Sequence, residues 1–197
     1  MTTEFKVSGY FYEISGFKFR KFLDIKENDS KLAMPDLMVV MMNPGSSYPL
    51  NGNDDSRAEV AAAPDRTQYQ IMTVMGRAGF TYARILNLSD KRESNSNTFY
   101  KFLKSEESKK VPHSIFDKSR SKDFENLFID TTPVICAWGV NSCLCGLASM
   151  AIPRLHQDNI IGIKKRSLEY AYYHPLPRVH QKQIDWANRI LQQITSK

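Results

Sequence analysis

Six consecutive apolar residues, Leu37-Met38-Val39-Val40-Met41-Met42, stop abruptly at Asn43-Pro44-Gly45. A run so short and so uniformly apolar suits a strand buried on both faces, as in a parallel sheet covered by helices. Asn-Pro-Gly then turns the chain out into a loop. Further runs follow the same form: Ala83-Arg84-Ile85-Leu86-Asn87-Leu88, then Pro133 to Trp138 stopping at Gly139, then Ile160-Ile161-Gly162-Ile163. Helix signals lie between them. Asp65, followed three residues later by Gln68, has the form of a capping box. Tyr69, Met72, Thr73 and Met75 carry a helical stripe from there toward Gly79. Phe99, Phe102 and Leu103 fit one helix face, and helices are expected over 122–129 and 140–151. Ile184, Ala187, Ile190, Leu191 and Ile194 mark an amphipathic helix over 181–194.

Strands alternating with helices predict an α/β protein with a largely parallel central sheet. Ahead of it, Tyr10, Tyr12 and Ile14 alternate before Ser15-Gly16, and Phe17, Phe19 and Phe22 follow. That pattern predicts a β-hairpin, an N-terminal extension over residues 1–30. Residues 46–63 read as a long polar loop. No repeat and no linker divides the chain, so residues 1–197 are expected to form one domain.

Composition narrows the classes. Three cysteines cannot build a paired disulfide framework, which favours a reducing, cytoplasmic setting. No apolar run approaches the ~18–20 residues of a membrane span, and the opening MTTEFKVSGY lacks the basic-then-apolar order of a signal peptide. The formal charge of +6 fits a polyanionic partner. Its basic clusters, Lys91-Arg92 within 91–122 and Lys164-Lys165-Arg166, are expected to flank a binding mouth. Basic residues interleaved with Phe99, Tyr100 and Phe102 suit phosphate contact with stacking. Cys136, Cys143 and Cys145 lack CxxC spacing, and His113, His156 and His180 lack ligand spacing, so neither a metal nor another cofactor is expected. There is no Walker loop and no dinucleotide fingerprint.

Ligands of open α/β sheets bind beyond the carboxyl ends of the strands. Here those ends carry Asn43-Pro44-Gly45, Asn87, Trp138-Gly139 and, after an aromatic run, His174-Pro175-Leu176-Pro177. Singly, each is also what a turn, a loop cap, a core tryptophan or a half-buried histidine looks like. In this order they resemble the motif series of the uracil-DNA glycosylase superfamily. They are most similar to a bacterial domain family of unknown function with Asn-Pro-Ser/Gly, Asn-Leu, Ala-Trp-Gly and His-Pro-Leu. The resemblance spans about residues 37–178.

The resemblance implies a three-layer α/β/α sandwich and a DNA base N-glycosylase, acting on a damaged or mismatched base. It implies that Asn43 places the attacking water, Asn87 reads the base edge and His174 donates to the departing base. Gly45 would border the base, Tyr48 or Tyr69 would stack on it, and the paired Asp54 and Asp55 would supply a carboxylate. Arg178 would stack or grip phosphate, with Lys91, Arg92, Lys164, Lys165 and Arg166 along the nucleic acid. Three positions depart from the superfamily: Leu176 stands where a serine is usual, Arg178 where an apolar wedge is usual, and Gly45 carries no bulk to exclude a thymine methyl. A chain without wedge or assured carboxylate also fits a non-enzymatic binder of nucleic acid, nucleotide or free nucleobase, or a small-molecule enzyme on the same scaffold.

Overall fold

A computed structural model describes residues 4–196. The first three residues of the expected 1–30 extension lie outside the described residues. Among the described residues, eight strands form one sheet: β1 (Phe5–Ile14), β2 (Phe17–Glu27), β3 (Leu37–Met41), β4 (Tyr48–Pro49), β5 (Glu59–Ala63), β6 (Tyr82–Asn87), β7 (Val134–Cys136) and β8 (Ile160–Ile161). Their order is β4-β5-β1-β2-β6-β3-β7-β8.

The protein is α/β, but its sheet is mixed rather than largely parallel. β6, β3, β7 and β8 are parallel neighbours, whereas β4, β5, β1 and β2 run antiparallel and join the edge of β6. The N-terminal hairpin is therefore an integral part of the sheet, forming its antiparallel half together with β4 and β5, and not an appendage. Its turn places Ser15 at φ 52° and Gly16 at φ 76°. Two successive positive φ values match the right-handed twist of the strands they connect. β5 was hidden in the expected polar loop. Its sequence, Glu-Val-Ala-Ala-Ala, has little strand preference of its own and is held by pairing with β1.

Every residue of β3 is buried, and its side chains divide by parity. Leu37, Val39 and Met41 face a core closed by α1 (Arg66–Ala78) and α6 (His180–Thr195), through Ile71, Val74, Met75, Trp186 and Ile190. Met38 and Val40 face another, closed by α2 (Ser96–Leu103), α4 (Ser121–Leu127) and α5 (Cys145–Ala151), through Phe99, Phe102, Phe124, Leu147 and Ala148. A short helix, α3 (Glu106–Lys110), links α2 to α4. Full burial of each large apolar side chain contributes about 1.5–3 kcal/mol, so this strand is fixed in register from both sides. β3 thus becomes the rigid post from which the Asn43 loop departs.

Cys136 is buried on β7, whereas Cys145 is exposed at the start of α5. No helix among the described residues is long and apolar enough to cross a membrane.

Candidate functional site

The parallel pairing aligns three strand ends. Met41 faces Asn87 across β3–β6, and Val40 faces Cys136 across β3–β7. The ladder continues past the strands, with Leu88 N–H donating to Met41 O and Ala137 N–H to Val40 O. The segment before His174 is tied in alongside. Gly139 N–H donates to Tyr172 O at 2.7 Å, Trp138 Nε1–H to Tyr170 O at 2.8 Å and Trp186 Nε1–H to Tyr173 O at 3.0 Å.

Beyond these ends lies a cavity of about 360 Å³, a size at the small end for ligand sites. Asn43, Gly45, Trp138 and His174 line it, as do Asp65, Thr67, Glu93, Ser94, Tyr100 and Leu176. A larger cavity of about 1230 Å³ lies between α1 and the antiparallel strands, bordered by Phe5, Val7, Lys26, Tyr69 and Met72. It touches no parallel-strand end, so the smaller one is the candidate site.

Asn43 is oriented by its neighbours. Its Nδ2 donates to the Glu93 carbonyl at 2.7 Å and the Lys91 carbonyl at 3.2 Å. Both amide protons are thereby used, and Oδ1 is the face left for a ligand or water. His174 is oriented as well. Leu176 N–H donates to its Nδ1 at 3.2 Å, so the neutral ring carries its proton on Nε2. Burial pushes the ring's pKa down, against the upward pull of Asp65. At neutral pH His174 is a neutral donor.

In the sequence Asp65 has the form of a helix cap only. It is that: Oδ1 accepts from Thr67 N at 2.8 Å and Gln68 N at 3.3 Å. It also stands in the cavity, and a Cβ on Gly45 would meet its Oδ2 at 2.6 Å. Gly45 itself sits at φ +65°. The loop therefore needs glycine twice, for its left-handed backbone and for the closeness of a carboxylate. The signal was present in the sequence, because helix N-termini gather at the carboxyl ends of parallel strands.

Beneath the loop is a buried polar cluster. Arg20 is fully buried, and its Nη2 donates to Asn87 Oδ1 at 3.0 Å. Burial pushes the guanidinium down to about 10, with Asp65 the largest opposing influence. Among the described residues, the buried side-chain atoms without a hydrogen-bond partner all belong to Arg20, Ser47, Asn87 and Asp90. Asp90 is nevertheless held, by Arg120 Nη1 at 2.5 Å and Tyr12 Oη at 2.8 Å. Burial pushes Asp90 up to about 6 against the pull of Arg120.

Several expected site residues lie elsewhere. Asn87 is fully buried and does not line the cavity, because its amide oxygen is engaged by Arg20. Asp54 is paired with Lys18 and Arg92 outside it. Asp55 is exposed, accepting from Glu13 N and Arg57. Tyr48 lies on β4 and Tyr69 on α1, both exposed and neither in the cavity; Tyr100 is the phenol there, half-buried and donating to Met42 Sδ at 3.5 Å. Lys91 and Arg92 line an adjoining groove. Lys164, Lys165, Arg166 and Arg178 line neither space, so only the first basic cluster flanks the mouth. Among the described residues no group of three His, Cys, Asp or Glu is placed to hold a metal ion. No family model matches this chain, and no curated protein or solved structure matches it either.

Proposed function

We propose that the cavity receives a nucleobase and that the protein is a base N-glycosylase of the uracil-DNA glycosylase type. One observation carries this reading: Asn43 Oδ1, the Asp65 carboxylate and the neutral His174 donor line one small cavity at parallel-strand ends. The fold reading is the three-layer sandwich of that superfamily. Helices on both sheet faces and the parallel order β6-β3-β7-β8 support it. Three free thiols support a reducing, cytoplasmic location.

The chemistry follows from the residues. Breaking the bond between the sugar C1′ and the base nitrogen leaves positive charge on the sugar and the electron pair on the base. His174 Nε2–H donates to the base oxygen where that charge accumulates. A water held by Asn43 Oδ1 bonds to C1′, and its proton passes to Asp65. Asn43 alone cannot take that proton, so Asp65 assumes the role the sequence assigned to Asp54 and Asp55. Bases within a duplex are inaccessible, so the substrate is a single strand or a flipped base.

The test is to incubate the protein with single- and double-stranded DNA bearing uracil, hypoxanthine, xanthine or a mismatch and to score abasic sites. Release that disappears in Asp65→Asn supports the reading. No release from any substrate, beside an active control enzyme, overturns it. A second reading, a base-binding protein without turnover, is favoured by the withdrawal of Asn87 from the cavity. It predicts saturable nucleoside binding in the same samples with no abasic product.

A further inference from the structure

A second cavity of about 360 Å³ adjoins the first and shares Gly45, Ser46, Glu93 and Ser94 with it. Its other wall is cationic, formed by Lys18, Lys91 and Arg92. Arg92 is fixed in place: Nε donates to Ser47 O at 3.0 Å, and the guanidinium lies 5.3 Å from the centre of the Phe11 ring. Lys91 is engaged by the Arg92 carbonyl at 3.1 Å and by the face of Phe17. Lys18 projects from β2 with about half its side chain exposed.

Two anions face them: Glu93, on the wall shared with the first cavity, and Asp54. Lys18 Nζ donates to Asp54 Oδ2 and Arg92 Nη1 to Asp54 Oδ1. Burial raises its carboxyl, but the two cations outweigh this and hold it below the ordinary carboxylate value. Asp54 comes from the β4–β5 loop, whose neighbours at 50–53 and 55 are exposed. A carboxylate on a surface loop, held through both oxygens by two cations beside a ligand cavity, stands where a phosphate would bind.

We infer that this groove is a phosphate subsite, in which Lys18 and Arg92 take the phosphate of a nucleotide or strand whose base enters the neighbouring cavity, displacing Asp54. The inference rests on the base-binding reading above and adds to it the part of the ligand that the cavity cannot hold. The sugar-phosphate would pass over Gly45 and Ser46, the wall common to both spaces. Asp54 then acts as an internal competitor, so its removal strengthens binding.

Binding of a short fluorescein-labelled single-stranded oligonucleotide, followed by anisotropy over a salt series, tests this in wild type, Lys18→Ala, Asp54→Asn and Lys164→Ala. The expected result is several-fold weaker binding for Lys18→Ala, with a salt slope reduced by about 1 for one lost phosphate contact. Asp54→Asn binds several-fold tighter, and Lys164→Ala stays near wild type. Equal losses in Lys18→Ala and Lys164→Ala, or no gain in Asp54→Asn, overturn the subsite. Competition by nucleoside 5′-monophosphates identifies a free nucleotide as the source, and oligonucleotide binding without such competition identifies a strand; both support the subsite. If inorganic phosphate protects against thermal unfolding as well as a nucleotide does, with the same Lys18→Ala and Asp54→Asn responses, the subsite stands and the base reading fails.

Discussion

Gly45→Ala tests whether the cavity loop and the first turn of α1 are one mechanical unit. Two effects add. Alanine held at φ +65° carries a left-handed penalty of about 1–2 kcal/mol. Its Cβ would also lie 2.6 Å from Asp65 Oδ2, forcing the carboxylate to move. Moving it breaks the cap bonds to Thr67 and Gln68, a loss of about 0.5–2 kcal/mol. The expected destabilisation is about 1.5–4 kcal/mol, and for a chain of this size each kcal/mol lowers Tm by about 2–4 °C. Urea unfolding by circular dichroism gives the total, and a double-mutant cycle with Asp65→Ala separates the parts. With Asp65 already removed, the cap cannot be lost again, so Gly45→Ala then shows only its backbone penalty. The cycle should return a coupling of about 0.5–2 kcal/mol. Strict additivity would falsify the contact between loop and cap, and with it the placement of Asp65 in the cavity.

Other outcomes follow from the same geometry. His174→Ala should slow base release by about 10²–10³, as for loss of one oxyanion donor, with KM little changed; an equal rate would remove His174 from the mechanism. Arg20→Met should change stability by no more than about 2 kcal/mol, because the apolar isostere offsets the loss of a buried, under-partnered charge; a collapse in Tm refutes that reasoning. His113, which bonds Ser89 Oγ at 2.9 Å, is pushed down to about 4 by burial. Its unfolded form keeps about 6.5, so the folded state resists the proton and stability falls as pH drops from about 6.5 toward 4, by at most about 3 kcal/mol. Asp90 titrates with the opposite sign over part of that range, so the measurement is the difference between wild-type and His113→Gln stability curves. A pH-independent difference would show that the ring is solvated.

The parallel strands were legible because burial on both faces leaves an unmistakable apolar run, as in Leu37–Met42. Helix α1 was legible from its capping box, down to the residue. β5 was not, because three alanines become a strand only through the partner they meet. The same divide separates the site residues. Asn43 and His174 advertise themselves beside prolines at strand ends. Arg20 lies amid strand-like aromatics, and its burial depends on β6 arriving beside β2. Asp54 and Asp55 drew notice as a pair, whereas Asp65 already had a sufficient explanation as a cap. A residue with one clear structural reason is the easiest place to overlook a second.

The docking of β2 against β6 also sets a timetable. The β1–β2 hairpin pairs locally and can form within about 1–10 μs of its synthesis. Its outer partner begins at Tyr82, and Glu27 is the last residue of β2. At about 5–20 residues per second, a ribosome takes about 3–11 s to cover that interval. Throughout it the nascent chain carries an open strand edge bearing Phe19, Leu23 and Ile25, residues that end fully buried. Such an edge invites pairing with neighbouring chains. The charges at Lys18, Arg20, Lys21 and Lys26 are spaced along it, and charge on an open edge opposes such pairing, so the strand that supplies Lys18 to the groove also carries its own protection while it waits for β6.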